Sequence, residues 1–338
     1  MLTKPLFQTE NRVWRTYRGG KQLDLFLGKS SSENSFFPED WISSFVEAKN
    51  KNYIPGEGLS HVLVDGNLEK ITDVVTPEDL GPGRTDSGVL IKLLDAAERL
   101  GIQVHPTPDF SRKHFGTNYG KTECWHILDA TEDASIYIGF KEGITKEKWA
   151  ALFDSQDIEG MLHCLHRFAV KNGDTILVTA GTPHAIGAGC FLLEIQEPSD
   201  YTMRVEKITL AGDALTPMQI HYGVGEEAML DCFHYIPLTK EEAYAKFFLQ
   251  KRGTHLVTYE DTPCFALQEI TEPNTEIVLD SFVTVVCIES GTLVFDANSD
   301  AETSYDVKKG DKVLIPYGCK SFIAKSGAFI LCHPPKKA

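Results

Sequence analysis

The chain has 338 residues, 42% of them hydrophobic and 24% charged, and a formal net charge of −15. That length predicts two domains, or one with large elaborations, and so acidic a surface disfavours nucleic acid and anionic membranes as partners. No apolar run approaches the roughly 18 residues of a membrane span, and the polar start MLTKPLFQTENRVWRT lacks the apolar centre of a secretory signal. The eight cysteines are scattered without a Cys-x-x-Cys pair, so reduced thiols in a cytoplasmic protein are expected.

In chain order, Trp14 and Trp41 read as core residues, and Pro38-Glu39-Asp40 in FFPEDWISSFVEA reads as the start of a short helix or turn. Residues 55–86, rich in Gly, Pro and Asp, read as a loop or cap with ambiguous short helices. From Val89 the pattern turns apolar, VLIKLLDAAERLGIQVHP, with Lys92 alone inside it. That lysine either snorkels outward at a strand edge or aims into a pocket.

The span 101–126, GIQVHPTPDFSRKHFGTNYGKTECWH, organises the rest. Gln103 and His105 are two apart, as are Lys121 and Glu123, and residues at i and i+2 of a strand share a face. Gln-x-His can therefore aim an amide oxygen and an imidazole at one point, and Lys-x-Glu an ammonium and a carboxylate at another. If the two strands are neighbours, these groups share a pocket, and His184 in GTPHAIGAG is a candidate fourth ligand.

ASIYIGF alternates as a strand, and residues 145–170 switch to helical spacing in two segments. His163 and His166 fall on the second predicted helix and read as surface or packing histidines. Next, KNGD is a turn, TILVTA a strand, and FLLEIQ another, with Glu194 and Gln196 on one face and Leu193 and Ile195 toward the core. Gly173-Asp174 aligns with Gly310-Asp311, laying TILVTAGTPHAIG over KVLIPYGCKSFIA, so His184 falls opposite Ser321 and the chain reads as two related β units. In the second unit, EIVLDSFVTVVCIESGTLVFD predicts two alternating strands joined by a Glu-Ser-Gly turn. The helical stretch EEAMLDCFHYIPLTKEEAYAKFFLQ puts the boundary near residue 245. The fold class expected is mainly β, antiparallel sandwiches or jelly rolls with a few helices.

Two histidines, a carboxylate and an amide make a mixed nitrogen and oxygen site suited to Zn²⁺, although Mn²⁺, Fe²⁺, Co²⁺ and Ni²⁺ also accept such ligands. An anionic substrate needs local cations, and Lys92, Arg112, Lys113, Lys121, Arg204 and Lys207 are available.

The motifs LIKLLDAAERLGIQVHP, GKTECWHIL, KNGD followed by AGTPHAIGAG, and EIQEPSDYTMR resemble those of the type I mannose-6-phosphate isomerases in order and spacing. These are cupin-fold zinc enzymes, here in the short bacterial form. The likeness is strong over residues 85–210, looser beyond, and weak over the first 80. It implies a catalytic cupin domain at residues 1–245, with an N-terminal elaboration and a helical insert, and a second, metal-free cupin domain at 246–338. It also implies one zinc ion per chain, bound by Gln103, His105, Glu123 and His184, with Lys121, Glu194, Asp200 and Arg204 lining the sugar site. The implied reaction is aldose–ketose interconversion of a sugar or sugar phosphate through an enediol, in a monomer or homodimer. Arg204, Lys121 and the metal would stabilise the oxyanion. Glu194 is the base expected, with Asp200 or a metal-bound water as rivals.

The sequence departs from the family at Gly101, where a serine usually helps to hold phosphate, and at DYTM before Arg204, where related short enzymes have DTTY. Lys92 and Lys207 remain to contact phosphate. Competing readings are an isomerase of an unphosphorylated sugar, a catalytically inactive sugar-binding cupin, and a metal-dependent oxygenase, which the glutamine ligand and GKTE disfavour.

Overall fold

The computed structural model describes residues 1–30, 32–296 and 302–336, and they form a mainly β fold of antiparallel sheets with short helices. A seven-stranded sheet contains Glu39–Ile42, Leu90–Ala96, Cys190–Gln196, Glu123–Ala130 and Thr175–Val178 as successive neighbours. A five-stranded sheet faces it, with Leu165–Ala169, Ser135–Phe140, His184–Ile186, Gln103–Val104 and Met203–Arg204 in that order. Trp125, Ile127, Leu192 and Leu94 from the first sheet pack with Ile136, Ile138, Phe168 and Ile186 from the second, which makes the interior of a sandwich.

The strand Cys190–Gln196 explains why its sequence is apolar throughout. Cys190 and Leu192 point into the sandwich, whereas Phe191, Leu193 and Ile195 lie on the opposite face, in a core shared with Phe265 and with Val286, Leu314 and Ile330 of the C-terminal sheet. Both faces are covered, so alternation of apolar and polar residues disappears. At the end of the sandwich the inward positions become polar: Glu194 pairs directly with Lys92, and Gln196 with Glu123.

The two aligned Gly-Asp segments share local geometry. Gly173 and Gly310 have φ of 89° and 90°. Asp174 accepts the Lys171 N–H at 2.9 Å as Asp311 accepts the Lys308 N–H at 2.7 Å. His184 and Ser321 then each open a strand. The expected helical stretch forms as Glu226–Asp231 and Lys240–Phe247, the second running through position 245 and capped by a reciprocal Thr239–Glu242 box.

Three local expectations are corrected. Glu39–Ile42 is a strand rather than a helix start, because its pairing with Ile91–Leu94 and with Arg12–Val13 outweighs the Pro-Glu-Asp signal. His166 lies on the strand Leu165–Ala169, not on a helix; only His163 ends the helix Ile158–His163. A short apolar run such as LHRFAV suits either period, and pairing with Ser135–Phe140 decides it. Glu289-Ser290-Gly291 is no hairpin turn but part of one strand, Val283–Phe295, whose register against Ser321–His333 shifts there. A Cβ on Gly291 would come within 2.0 Å of Ser326 O, so glycine is required where the two bent strands cross.

Candidate active site

Strand alternation assembles the polar end of the sandwich as the sequence leads one to expect. Gln103 and His184 are register partners on adjacent strands. Glu123 comes from the facing sheet, and its carboxylate reaches both histidines: Oε2 is 3.0 Å from His105 Nε2 and Oε1 is 3.3 Å from His184 Nε2. The Gln103 amide meets His184 Nε2 at 3.2 Å, and a half-turn of that amide exchanges its nitrogen for its oxygen. Each imidazole directs Nδ1 at a backbone carbonyl, Tyr201 O at 3.2 Å for His105 and Thr182 O at 2.9 Å for His184. Such bonds place the proton on Nδ1 and leave both Nε2 lone pairs facing Glu123.

The three groups are almost wholly buried. Burial, with Lys121 nearby, lowers His105 to about 3 against the pull of Glu123, and burial likewise lowers His184, so both stay neutral at physiological pH. Burial opposes charge on Glu123 as well, but His105 and Lys121 around it hold its carboxyl well below the usual range. Glu123 Oε2 accepts no well-directed hydrogen bond despite cationic and imidazole nitrogens 3.0 Å away. Two neutral imidazoles and an under-bonded carboxylate, all converging within 4.8 Å, form a donor set that fits a divalent ion. Lys121 also points its ammonium here, 2.8 Å from His105 Nε2.

Gln103 and Lys121 connect this buried cluster to a cleft of about 760 Å³, mouth included, which they line with Lys92, Gly101, Glu194, Asp200 and Arg204. Glu194 Oε1 lies 2.8 Å from Lys92 Nζ, both side chains being 4% exposed. Burial raises the Glu194 carboxyl against the pull of Lys92, and the same pair, with Glu39, raises Lys92 in spite of its burial. A buried carboxylate with an elevated pKa, kept ionised by one lysine, suits proton abstraction near neutrality. Arg204 gives Nη1 to Gln219 O at 2.7 Å and Thr202 O at 3.2 Å.

No family model matches the chain. It is 34% identical over 268 residues, 77% of its own length and 80% of the relative's, to the probable mannose-6-phosphate isomerase GmuF of Bacillus subtilis. The chain belongs to the mannose-6-phosphate isomerase family. Among solved structures, the mannose 6-phosphate isomerase from Bacillus subtilis matches with a TM-score of 0.72 at 23% identity, covering 97% of this chain and 99% of that one. A zinc-bound mannose 6-phosphate isomerase matches with a TM-score of 0.72 at 15% identity, covering 98% and 100%. These likenesses show the cupin fold of the mannose-6-phosphate isomerases.

Not every residue expected at the site of a mannose-6-phosphate isomerase reaches it here. Lys207 does not line the cleft; it pairs with Glu226 at 2.9 Å and lies over the Phe153 ring. The strand period explains this, since Arg204 and Glu206 face the cleft and Lys207 falls on the other side. Arg112 pairs with Asp109 on an exposed helix that also carries Lys113, and neither basic residue lines the cleft. His163 and His166 bond Glu159 O and Leu238 O, away from Glu123. Asp200 lines the cleft, but its two oxygens accept Arg15 at 3.3 Å and the Lys49 N–H at 2.7 Å.

Sequence reasoning missed what the N-terminal segment brings. Arg15 bridges Asp200 and Glu39, at 3.3 and 2.9 Å. Glu39 in turn accepts Tyr17 Oη and Trp41 Nε1, both at 2.7 Å, and its Oε2 lies 3.8 Å from Lys92 Nζ. A buried chain of alternating charge thus runs from Asp200 through Arg15, Glu39 and Lys92 to Glu194. The only local signal was parity: Arg15 and Tyr17, like Glu39 and Trp41, are two apart.

Proposed function

We propose that this chain interconverts mannose 6-phosphate and fructose 6-phosphate, with His105, Glu123, His184 and the Gln103 amide holding one zinc ion. The observation that carries the reading is that Gln103 and Lys121, each in contact with the convergent His–Glu–His cluster, line the same cleft as the buried Glu194–Lys92 pair. When bound, zinc would supply Lewis acidity toward oxygens at the reacting end of the sugar. Glu194 takes the C2 proton of the open-chain aldose and returns a proton to C1 while the O2 hydroxyl proton passes to O1, which carries the enediol to the ketose. Lys92 keeps Glu194 ionised and oriented through their 2.8 Å contact. Lys121 and Arg204 provide positive charge for the oxygen that becomes anionic as the C2 proton leaves. Asp200, with both oxygens occupied, positions Arg15 and the N-terminal segment rather than acting as the base.

The two matching Gly-Asp turns support a duplicated unit, residues 1–245 and 246–338, the second with Ser321 in the place of His184. The test of function is metal analysis of the purified protein, joined to isomerase assays on mannose 6-phosphate, mannose and fructose side by side. Zinc near one per chain and turnover of mannose 6-phosphate are expected. Bound zinc without turnover of any of the three would replace the isomerase with a sugar-binding cupin, and turnover of mannose alone would replace the substrate.

A further inference from the structure

A second cavity adjoins the cleft. Thr16, Thr209 and Leu215 line both spaces, and the second measures about 1160 Å³, mouth included, ample for a small molecule. Its wall mixes aromatic rings with polar groups. Trp14, expected in the core, is only half-buried, and its ring lies 6.2 Å from that of Phe36 between centroids, tilted by 33°. Asn50, Glu57 and Asp213 also line the cavity, and Lys51 is the only cation among the described lining residues.

Asn50 gives this wall a directed donor. Its Oδ1 accepts Arg15 Nη1 at 2.9 Å, which fixes the amide, because a half-turn would set two donors face to face. Nδ2 is then buried with no acceptor among the described residues. A buried N–H without an acceptor is costly, and a ligand hydroxyl at the Asn50 wall would relieve that cost.

The lining selects the chemistry of an occupant. The two rings offer an apolar face, the Asn50 amide donates, and the Glu57 and Asp213 carboxylates accept hydroxyl protons. Two carboxylates against one ammonium disfavour an anion, so a phosphorylated ligand is a poor fit. An uncharged pyranose meets every condition, with a face of C–H groups to lie on Trp14 and a rim of hydroxyls that both donate and accept. Glu194 and Lys121 line the cleft but not this cavity, so a ring held here lies beside the reacting groups rather than among them. It is still close to their supports. Arg15, which holds Asn50, also bridges Asp200 and Glu39, and Gln219, in the cavity wall, accepts Arg204 Nη1 on its carbonyl at 2.7 Å.

We propose that the second cavity binds an uncharged hexopyranose, stacked on Trp14 and hydrogen-bonded by Asn50, alongside an occupied cleft. Its lining alone carries this site, so failure of the isomerase reading would leave it intact.

The test is saturation-transfer NMR with methyl α-mannopyranoside, whose locked anomeric carbon prevents both ring opening and isomerisation. It is titrated against the wild-type protein, Trp14→Leu and Asn50→Asp, each with and without saturating mannose 6-phosphate. Asn50→Asp keeps an acceptor for Arg15 and removes only the donor. Trp14→Leu keeps the 3.2 Å bond to Glu57, which comes from the backbone N–H of residue 14. Saturable transfer to the ring protons is expected in the wild type, and it persists when mannose 6-phosphate is present. Each variant should bind the glycoside about 5- to 10-fold more weakly. Absence of saturable transfer in the wild type, displacement of the glycoside by mannose 6-phosphate, or unchanged affinity in either folded variant would overturn the proposal.

Discussion

Replacing Lys92 by methionine keeps much of the side-chain volume and removes the charge beside Glu194. The contact is 2.8 Å long and both groups are 4% exposed. At an effective dielectric constant of about 20, such a pair interacts by about 6 kcal/mol, and breaking a buried pair typically costs about 3–5 kcal/mol after relaxation. If about 3 kcal/mol falls on ionisation of Glu194, its pKa rises by about two units. The base would then be protonated where the wild type works, so the acid limb of kcat/KM against pH moves up by about two units. Glu39, whose negative charge also raises Glu194, supplies a control of opposite sign: Glu39→Gln should move the limb down. The readout is the pH profile of isomerase kcat/KM for both variants. A Lys92→Met enzyme with reduced activity but an unmoved acid limb would refute the assignment and make Lys92 a packing residue.

Two further outcomes are expected. His184→Ala should purify with well under one zinc per chain while His166→Ala stays fully loaded, checked by elemental analysis; equal loading would remove His184 from the site. Stability should fall with acid in two windows. Burial lowers His126 from 6.5 to about 4, so the unfolded state takes up that proton first and stability is lost as pH falls from 6.5 to 4. Burial would raise Glu39, but Arg15 and Lys92 with two hydrogen bonds hold it at about 2, so its contribution, complete above 4.5, is lost as pH falls to 2. Each is worth about 3 kcal/mol, measurable as urea midpoints across that pH range; a flat profile between pH 6.5 and 4 would contradict the first window.

The ligand cluster was legible because it rests on the shortest-range rule available. The pairing of Gln103 with His105 and of Lys121 with Glu123 needed only the strand period, whereas His184 entered as a candidate in GTPHAIGAG and was joined to them as a ligand by the family resemblance. The wall from Glu194 to Arg204 came from the family resemblance, with parity supporting only Glu194 and Gln196, and the strand period accounts for the exit of Lys207. What remained hidden depends on contacts far apart in sequence. The strand Glu39–Ile42 is set by pairing with Ile91–Leu94, and Arg15 meets Asp200 across 185 positions, so neither can be inferred from neighbours. The bulged strand through Gly291 was misread because a Glu-Ser-Gly triplet marks a turn or a close crossing equally well, and only the Ser326 backbone distinguishes them.

The central claim is that Glu194 moves the C2 proton of a sugar held beside a zinc site. The most direct test follows mannose 6-phosphate by proton NMR in D₂O with zinc-loaded wild type and Glu194→Gln. Solvent deuterium should enter at C2 of the aldose and C1 of the ketose in the wild type, and neither exchange nor isomerisation should occur in Glu194→Gln at matched zinc content. Retained exchange at C2 in that variant would contradict the account.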